Sequence, residues 1–419
     1  MRFAAPRVLK PLLLVTLVGS LLAGCATHGG AVQGAAKSGG PTAAESNQAA
    51  DTHPSLFNTP YLVKGSGKHR LKSQWLKKVS GDEDLQLVFR PALTADKACA
   101  AGRDAVYCFD RDSGKALWKR KVRDLSAGIV LTDTAAYVGT DEGEIVALDI
   151  VDGTEQWRST VGGEILALVA VGEVATGRML VAHSSSGLLT GLNAEDGSSV
   201  WIQEQKVPRL TLRGLSTPLV VDELVVTGFD NGRVMANKLQ DGSIVWQEDL
   251  VVPTGRSELE RLADIDGALA YYRGDVFAAS WGGSLGAWSL KKGRSLWRAE
   301  IASVTGVAAD LRRVYVTDNN NALHSLDARS GRVLWKRDDL VPEDEADDRR
   351  VVSTSVIDGR PLVLDNLGRL YLYERATGEL DFATSLSGEF ATAPAVDGNS
   401  LLTLSRSGSL ALWQLEDNQ

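Results

Sequence analysis

The chain has 419 residues, with 45 Lys and Arg against 53 Asp and Glu and a formal net charge of -8. An acidic balance of this size argues against a broad nucleic-acid surface, which needs a cationic face to displace phosphate counterions. The largely apolar run at residues 11–22 is too short for a stable spanning helix.

In chain order, that run follows a positive leader of Arg2, Arg7 and Lys10 and ends in Leu22-Ala23-Gly24-Cys25. This ending resembles the lipobox of bacterial lipoproteins, in which small residues fit the signal peptidase and the Cys thiol accepts lipid. Residues 1–24 are therefore expected to be a removed signal and Cys25 the lipidation site. Several acyl chains together anchor a protein stably where one binds only reversibly. Ala26 follows the Cys, and similarity to enterobacterial lipoproteins then implies the outer membrane, with the folded part in the periplasm. Residues 26–57 are rich in Gly, Ala, Ser, Thr, Gln and Asn without hydrophobic period, so 25–57 reads as a lipidated tether. Without the leader the balance is 42 Lys and Arg against 53 Asp and Glu.

Residues 58–419 read as one domain built on a repeat, clearest at residues 136–157 (AYVGTDEGEIVALDIVDGTEQW). Two tight turns there separate three short alternating runs, a meander rather than a helix. Its Gly and Trp recur as Gly114 with Trp118, Gly153 with Trp157, Gly197 with Trp201, Gly242 with Trp246, Gly293 with Trp297 and Gly331 with Trp335. A seventh copy pairs Gly378 with Phe382, and the glycine intervals are 39, 44, 45, 51, 38 and 47 residues. That is the period of one four-stranded propeller blade. An eighth set of strands at 399–413 lacks an outer strand, which Lys72-Ser73-Gln74-Trp75-Leu76 supplies. The expected fold is all-β: an eight-bladed β-propeller of four-stranded antiparallel blades, closed by an N-terminal strand completing the last blade, with seven blades as the alternative. The repeated Trp residues read as packing between blades, and Phe382, lacking an N–H donor, should mark the most irregular blade.

Gly-Trp repeats of this kind resemble the quinoprotein-like repeats of pyrroloquinoline-quinone alcohol dehydrogenases, which makes a cofactor-dependent oxidoreductase the alternative function. The adjacent Cys pair of that group is absent, and Asp110, Asp149 and Asp327 fall in an Asp-x-x-x-Gly turn pattern rather than a ligand set. His28, His53, His69, His183 and His324 are dispersed, the first three in or near the tether, with neither zinc spacing nor a nucleophile partner. No catalytic, cofactor or metal site is expected. Cys99 and Cys108 align with Val138 and Ala147 on adjacent strands, which fits either a short-loop disulfide in an oxidising compartment or two buried thiols.

Two segments interrupt the repeat. Residues 204–218 (EQKVPRLTLRGLSTP) and 256–267 (GRSELERLADID) would, at matching ends of adjacent blades, form an exposed ledge of two leucines, an Arg and two carboxylates. Such a mixture suits a protein interface, although two unrelated solvated loops have the same composition. With the lipobox, the eight repeats and the closing strand, Leu210-Thr211-Leu212-Arg213-Gly214-Leu215-Ser216 and residues 260–266 resemble the BamB family of outer-membrane assembly factors. The resemblance implies a noncatalytic scaffold lipoprotein that binds the POTRA region of BamA, contacts other subunits of the complex indirectly, and assists insertion of β-barrel proteins. It also implies Leu210, Leu212, Arg213, Asp264 and Asp266 as the BamA-facing set. Transient binding of unfolded outer-membrane clients is a second expectation, and a general periplasmic protein-binding propeller a further alternative. The acidic loop at 343–348, followed by Arg349 and Arg350, receives no role.

Overall fold

Short apolar-alternating runs separated by Gly turns pair with their sequence neighbours, and the chain forms eight four-stranded antiparallel sheets. The computed structural model describes residues 67–79, 89–102, 104–174, 177–212, 216–254, 256–257, 259–340 and 348–418. Cys25 and the tether, Arg213 and residues 343–347 of the acidic loop lie outside the described residues. Blades 1 to 7 span residues 92–121, 125–160, 165–204, 219–249, 270–299, 307–337 and 351–385. Blade 8 joins Ala395–Asp397, Ser400–Leu404 and Ser409–Asp417 to His69–Lys78, which runs antiparallel from His69 opposite Asp417 to Lys78 opposite Ser409. The first strand of each blade touches the first strands of both neighbouring blades, blade 8 meeting blade 1, so the ring is closed. The fold is the eight-bladed propeller expected from the repeat.

One joint recurs around the ring. The Trp on the outer strand of one blade donates its indole N–H to a backbone carbonyl of the next, at 2.5–3.1 Å: Trp75 to Arg111, Trp118 to Ile150, Trp157 to Ala194, Trp201 to Leu239, Trp246 to Leu290, Trp297 to Ala328 and Trp335 to Arg375. Each acceptor lies three residues before the repeat Gly of the receiving blade. A tight turn holds that carbonyl in place: the repeat Gly N–H donates to the carbonyl of the residue four positions earlier, which is an Asp in blades 1, 2 and 6. In blade 2 the Gly153 N–H donates to Asp149 O at 2.9 Å, and the Asp149 carboxylate accepts the Val151 N–H at 2.8 Å. The Gly is required twice over. Gly242 has φ +69°, and a Cβ there would sit 2.6 Å from the Trp201 ring.

The joint between blades 7 and 8 differs, because Phe382 has no N–H. Phe382 is buried with Leu71, Leu415 and Trp413, and residues at the two ends of the propeller supply the polar contacts. Gly67 N–H donates to Asp381 O at 2.8 Å, Lys68 N–H to the Asp381 carboxylate at 2.9 Å, and Asn418 N–H to Lys68 O at 2.7 Å. The His69 ring lies between Asp381, which hydrogen-bonds Nδ1, and Asp417, whose Oδ1 is 3.3 Å from Nε2. His69 thus belongs to the closing strand, which is ten residues long and begins three residues earlier than its sequence pattern indicates. Phe382 does not mark the most irregular blade. Blade 7 keeps one register shift between its first two strands, whereas the corresponding strands of blades 2 and 3 shift twice each. The polar clasp replaces the missing indole bond, and the irregularity falls instead on long first strands that must bend.

Every outer strand also carries a register shift at or just before the Trp or Phe position, in all eight blades. A bulge at the exposed edge bends the strand and interrupts the row of free backbone groups, which discourages edge-to-edge pairing. Below the edges the sheets are packed with small and branched side chains such as Ala98, Val146, Leu180, Val226 and Leu364. After the acidic loop, Arg349 hydrogen-bonds the buried Asp365, and Arg350 N–H donates to Asn366 Oδ1 at 2.8 Å, so these residues fasten the start of blade 7. In blade 1, Cys99 and Cys108 are direct cross-strand partners with Cα atoms 4.2 Å apart and sulfurs joined in a disulfide, both fully buried.

Two measurements follow from these joints. Trp201→Ala, which removes a buried ring and its interblade bond, should lower unfolding stability by about 3–5 kcal/mol in denaturant titration; a change below about 1 kcal/mol would mean the joint contributes little. Intact mass of the oxidised protein should rise by the two thiol hydrogens on denaturing reduction, and an unchanged mass would place free thiols at Cys99 and Cys108.

Candidate functional site

Both interruptions of the repeat connect the outer strand of one blade to the first strand of the next, from blade 3 to 4 and from blade 4 to 5. The second is built to be rigid. Its single turn of 3-10 helix, Leu259–Arg261, begins in a capping arrangement: Glu260 accepts the Arg256 N–H at 2.7 Å, while Ser257 Oγ accepts the Glu260 N–H at 3.2 Å. These backbone donors hold the Glu260 carboxyl below its ordinary range. Beyond the turn Leu262, Ala263, Ile265 and Leu269 are buried, and Ile265 belongs to the packed seam between blades 4 and 5. Gly228 and Gly232 make room for this segment. A Cβ on Gly228 would meet Ile265 at 2.4 Å, and one on Gly232 would meet Val251 O at 2.5 Å and Ala263 at 3.0 Å.

The structure brings the two segments together. The Leu212 N–H donates directly to Asp264 Oδ2, which ties the blade 3–4 connection to the blade 4–5 connection. Leu210 and Leu212 remain 42% and 43% exposed on the joined surface, and Leu259 and Val252 add two more exposed apolar side chains. Beside them Lys206, Val207, Pro208, Asn231, Val252 and Pro253 line a shallow groove. An apolar centre with charged and amide groups at its margin has the anatomy of a protein interface.

The carboxylates are not arranged as an exposed pair. Asp264 is only 1% exposed, and its backbone carbonyl also accepts the Trp281 N–H at 2.9 Å, so it positions the ledge from below. Asp266 is partly buried and likewise engaged. A third carboxylate, Asp230, joins them from the turn between the second and third strands of blade 4, with one oxygen of each within 4.8 Å of the others. Burial, then the charge of Asp264, pushes the Asp230 carboxyl up to about 6. Burial also raises Asp264, against the opposing effect of the Leu212 N–H. Of all the groups with carboxylate, imidazole or thiolate atoms this close together, this is the one among the described residues that meets the spacing for a cation. Asp264 accepts the Leu212 N–H and Asp266 is engaged as well, so the cluster forms part of the ledge. Asp230 carries no signal in the sequence, because Asp230-Asn231-Gly232 is an ordinary hairpin turn.

Comparison with known proteins gives the same direction. A family model described as "Outer membrane protein assembly factor BamB" matches residues 102–337. The protein of that name from Yersinia pestis is 32% identical over 345 residues, covering 79% of this chain and 85% of the relative. Among solved structures, BamB from Moraxella catarrhalis superposes with a TM-score of 0.73 at 24% identity, over 82% of this chain and 100% of that one. Quinohemoprotein alcohol dehydrogenase from Comamonas testosteroni superposes with a TM-score of 0.61 at 13% identity, over 82% and 76%. At these identities both structures report the fold alone.

The raised Asp230 carboxyl gives a measurable pH dependence. The folded state holds this proton up to about pH 6, whereas the unfolded chain releases it near pH 4, so ionisation costs stability as pH rises through that window. Asp230→Asn should therefore be more stable than the parent at pH 7.5, by on the order of 1–2 kcal/mol, and should lose much of the slope between about pH 4 and 6. Equal pH profiles for the two proteins would show that Asp230 titrates normally.

Proposed function

Because the chain belongs to the family of the outer membrane protein assembly factor BamB, as a noncatalytic scaffold of outer-membrane assembly, we propose that its propeller docks through the blade 3–5 ledge onto the POTRA region of BamA. The observation that carries this reading is the hydrogen bond from Leu212 N–H to Asp264 Oδ2. It makes one preorganised surface of two segments 52 positions apart, so little ordering cost remains to be met on binding. Leu210 and Leu212 supply apolar area, and Arg213 supplies the charge that selects register. Asp264 and Asp266 act mainly by holding that surface in shape.

Residues 1–24 are proposed as the cleaved signal, Cys25 as the acylated anchor and 25–57 as the tether, with the propeller in the periplasm and the other subunits of the complex reached through BamA. Anchoring and docking together restrict the scaffold to the neighbourhood of the barrel under assembly. Pairing of an unfolded β-rich client with a propeller edge is the secondary reading. The bulge on each outer strand weighs against extended pairing there, so such contacts would be brief.

The test is capture of purified BamA periplasmic domains. Leu210→Ala with Leu212→Ala, or Arg213→Glu alone, should weaken binding by about tenfold or more, with unchanged unfolding midpoints. Undiminished affinity in both variants would remove the ledge from the interface.

A further inference from the structure

The charge of this acidic chain is unevenly placed. Residues 68–124 carry fourteen Lys and Arg against eight Asp and Glu, although the whole chain has 45 against 53. Much of the excess lies on two outer strands of neighbouring blades. The closing strand of blade 8, His69–Lys78, contributes Arg70, Lys72, Lys77 and Lys78, and the outer strand of blade 1, Ala116–Lys121, contributes Lys119, Arg120 and Lys121. Neither strand holds an acidic residue. The outer strands of the other six blades together have four Lys and Arg against five Asp and Glu. The two basic strands adjoin, since the Lys77 stem and the Trp75 ring lie against the Gly114 turn that leads into the second of them.

Among the described residues, few of these cations meet a carboxylate. Arg70 and Lys72 share the single carboxylate of Glu416, at 3.1 and 3.2 Å. Lys78 donates to the Ser407 carbonyl, and Lys119 lies 4.9 Å from the Tyr107 ring centroid. Two apolar side chains, Leu76 and Leu117, are exposed on the same two strands, at 58% and 43%. Cations flanking exposed leucines are the combination that settles on an anionic lipid surface, the charges at headgroup level and the leucines at the acyl boundary.

We propose that the outer strands of blades 8 and 1 form a basic rim that rests on anionic phospholipid headgroups beside the anchor. The orientation rests on the reading that Cys25 carries lipid. Along the chain the closing strand is the first outer strand after the proposed tether, so the anchor would bring this rim to the bilayer before the others. Read as a flexible coil, the proposed tether at 25–57 would have a root-mean-square reach on the order of 30–35 Å. An anchor at that distance raises the effective concentration of the rim at the surface, so weak headgroup contacts suffice. The blade 3–5 ledge lies on other blades of the ring, leaving it free for its protein partner while the rim is engaged.

The experiment uses the mature lipidated protein reconstituted into phosphatidylcholine vesicles and into vesicles containing roughly one third phosphatidylglycerol. Surface amines are acylated and the modified lysines quantified by peptide mass spectrometry. On the anionic vesicles Lys72, Lys78, Lys119 and Lys121 should react at least about threefold more slowly than on the zwitterionic ones, and about 0.5 M salt should abolish the difference. Lys238 and Lys336, exposed on other blades, should react equally on both. Lys119→Glu with Lys121→Glu should remove protection at Lys72 and Lys78 as well. Protein that leaves the zwitterionic vesicles but stays on the anionic ones supports the rim and overturns the anchor. Equal labelling of all lysines on the two vesicles, or release from both, overturns the rim.

Discussion

The indole N–H of one blade bonded to a turn carbonyl of the next is the contact on which the rest of this structure depends. It works because one turn does three things: it presents the carbonyl, it places a Gly where the ring must lie, and it is held by its own Asp or by backbone bonds. The bond and the ring burial are therefore coupled, and losing any part loosens the same seam. Seven repetitions give a ring in which no blade is stable by its own hairpins alone, as expected of architectures whose units bury their faces only against neighbours.

A ring stiffened at its outer joints leaves the connections between blades free to vary. The blade 3–4 and blade 4–5 connections use that freedom differently. The second inserts Leu262, Ala263 and Ile265 into the seam and becomes a platform; the first lies across it, fixed by Leu212 N–H. The cost is a group of three carboxylates in a confined space, with the Asp230 carboxyl pushed up to about 6 by burial and by Asp264. Electrostatic strain of this kind is common where a surface is shaped for a partner rather than for stability alone.

How much of this was legible in the sequence follows the range of each interaction. The Gly and Trp spacing is local, so the blades, their number and the closing strand around Trp75 could be read directly. The ledge was visible as two departures from the period and through family resemblance. Their direct contact was not, because a backbone donor at Leu212 looks like any other. The burial of Asp264 was also hidden: a connection without a two-residue period gives no sign of which side chains turn inward. In the sequence His69 is only a residue near the tether, because its role depends on Asp381 and Asp417, each more than 300 residues away. Phe382 misled in the opposite sense. Its missing donor is plain in the sequence, but the clasp that compensates for it is assembled from the two ends of the propeller.

That clasp imposes an order of events. Synthesis proceeds from the N terminus, yet His69–Lys78 has no sheet to join until Ser409–Asp417 exists, 348 positions after His69 for the outermost pair. The first of the described strands is thus the last to find its partner, and its backbone donors and acceptors stay open while the seven blades between are made. Like charges on an unpaired strand disfavour its pairing with another copy of itself, and this strand carries Arg70, Lys72, Lys77 and Lys78. Sealing the ring therefore depends on the whole propeller sequence: without Ser409–Asp417, His69–Lys78 has no strand to pair with.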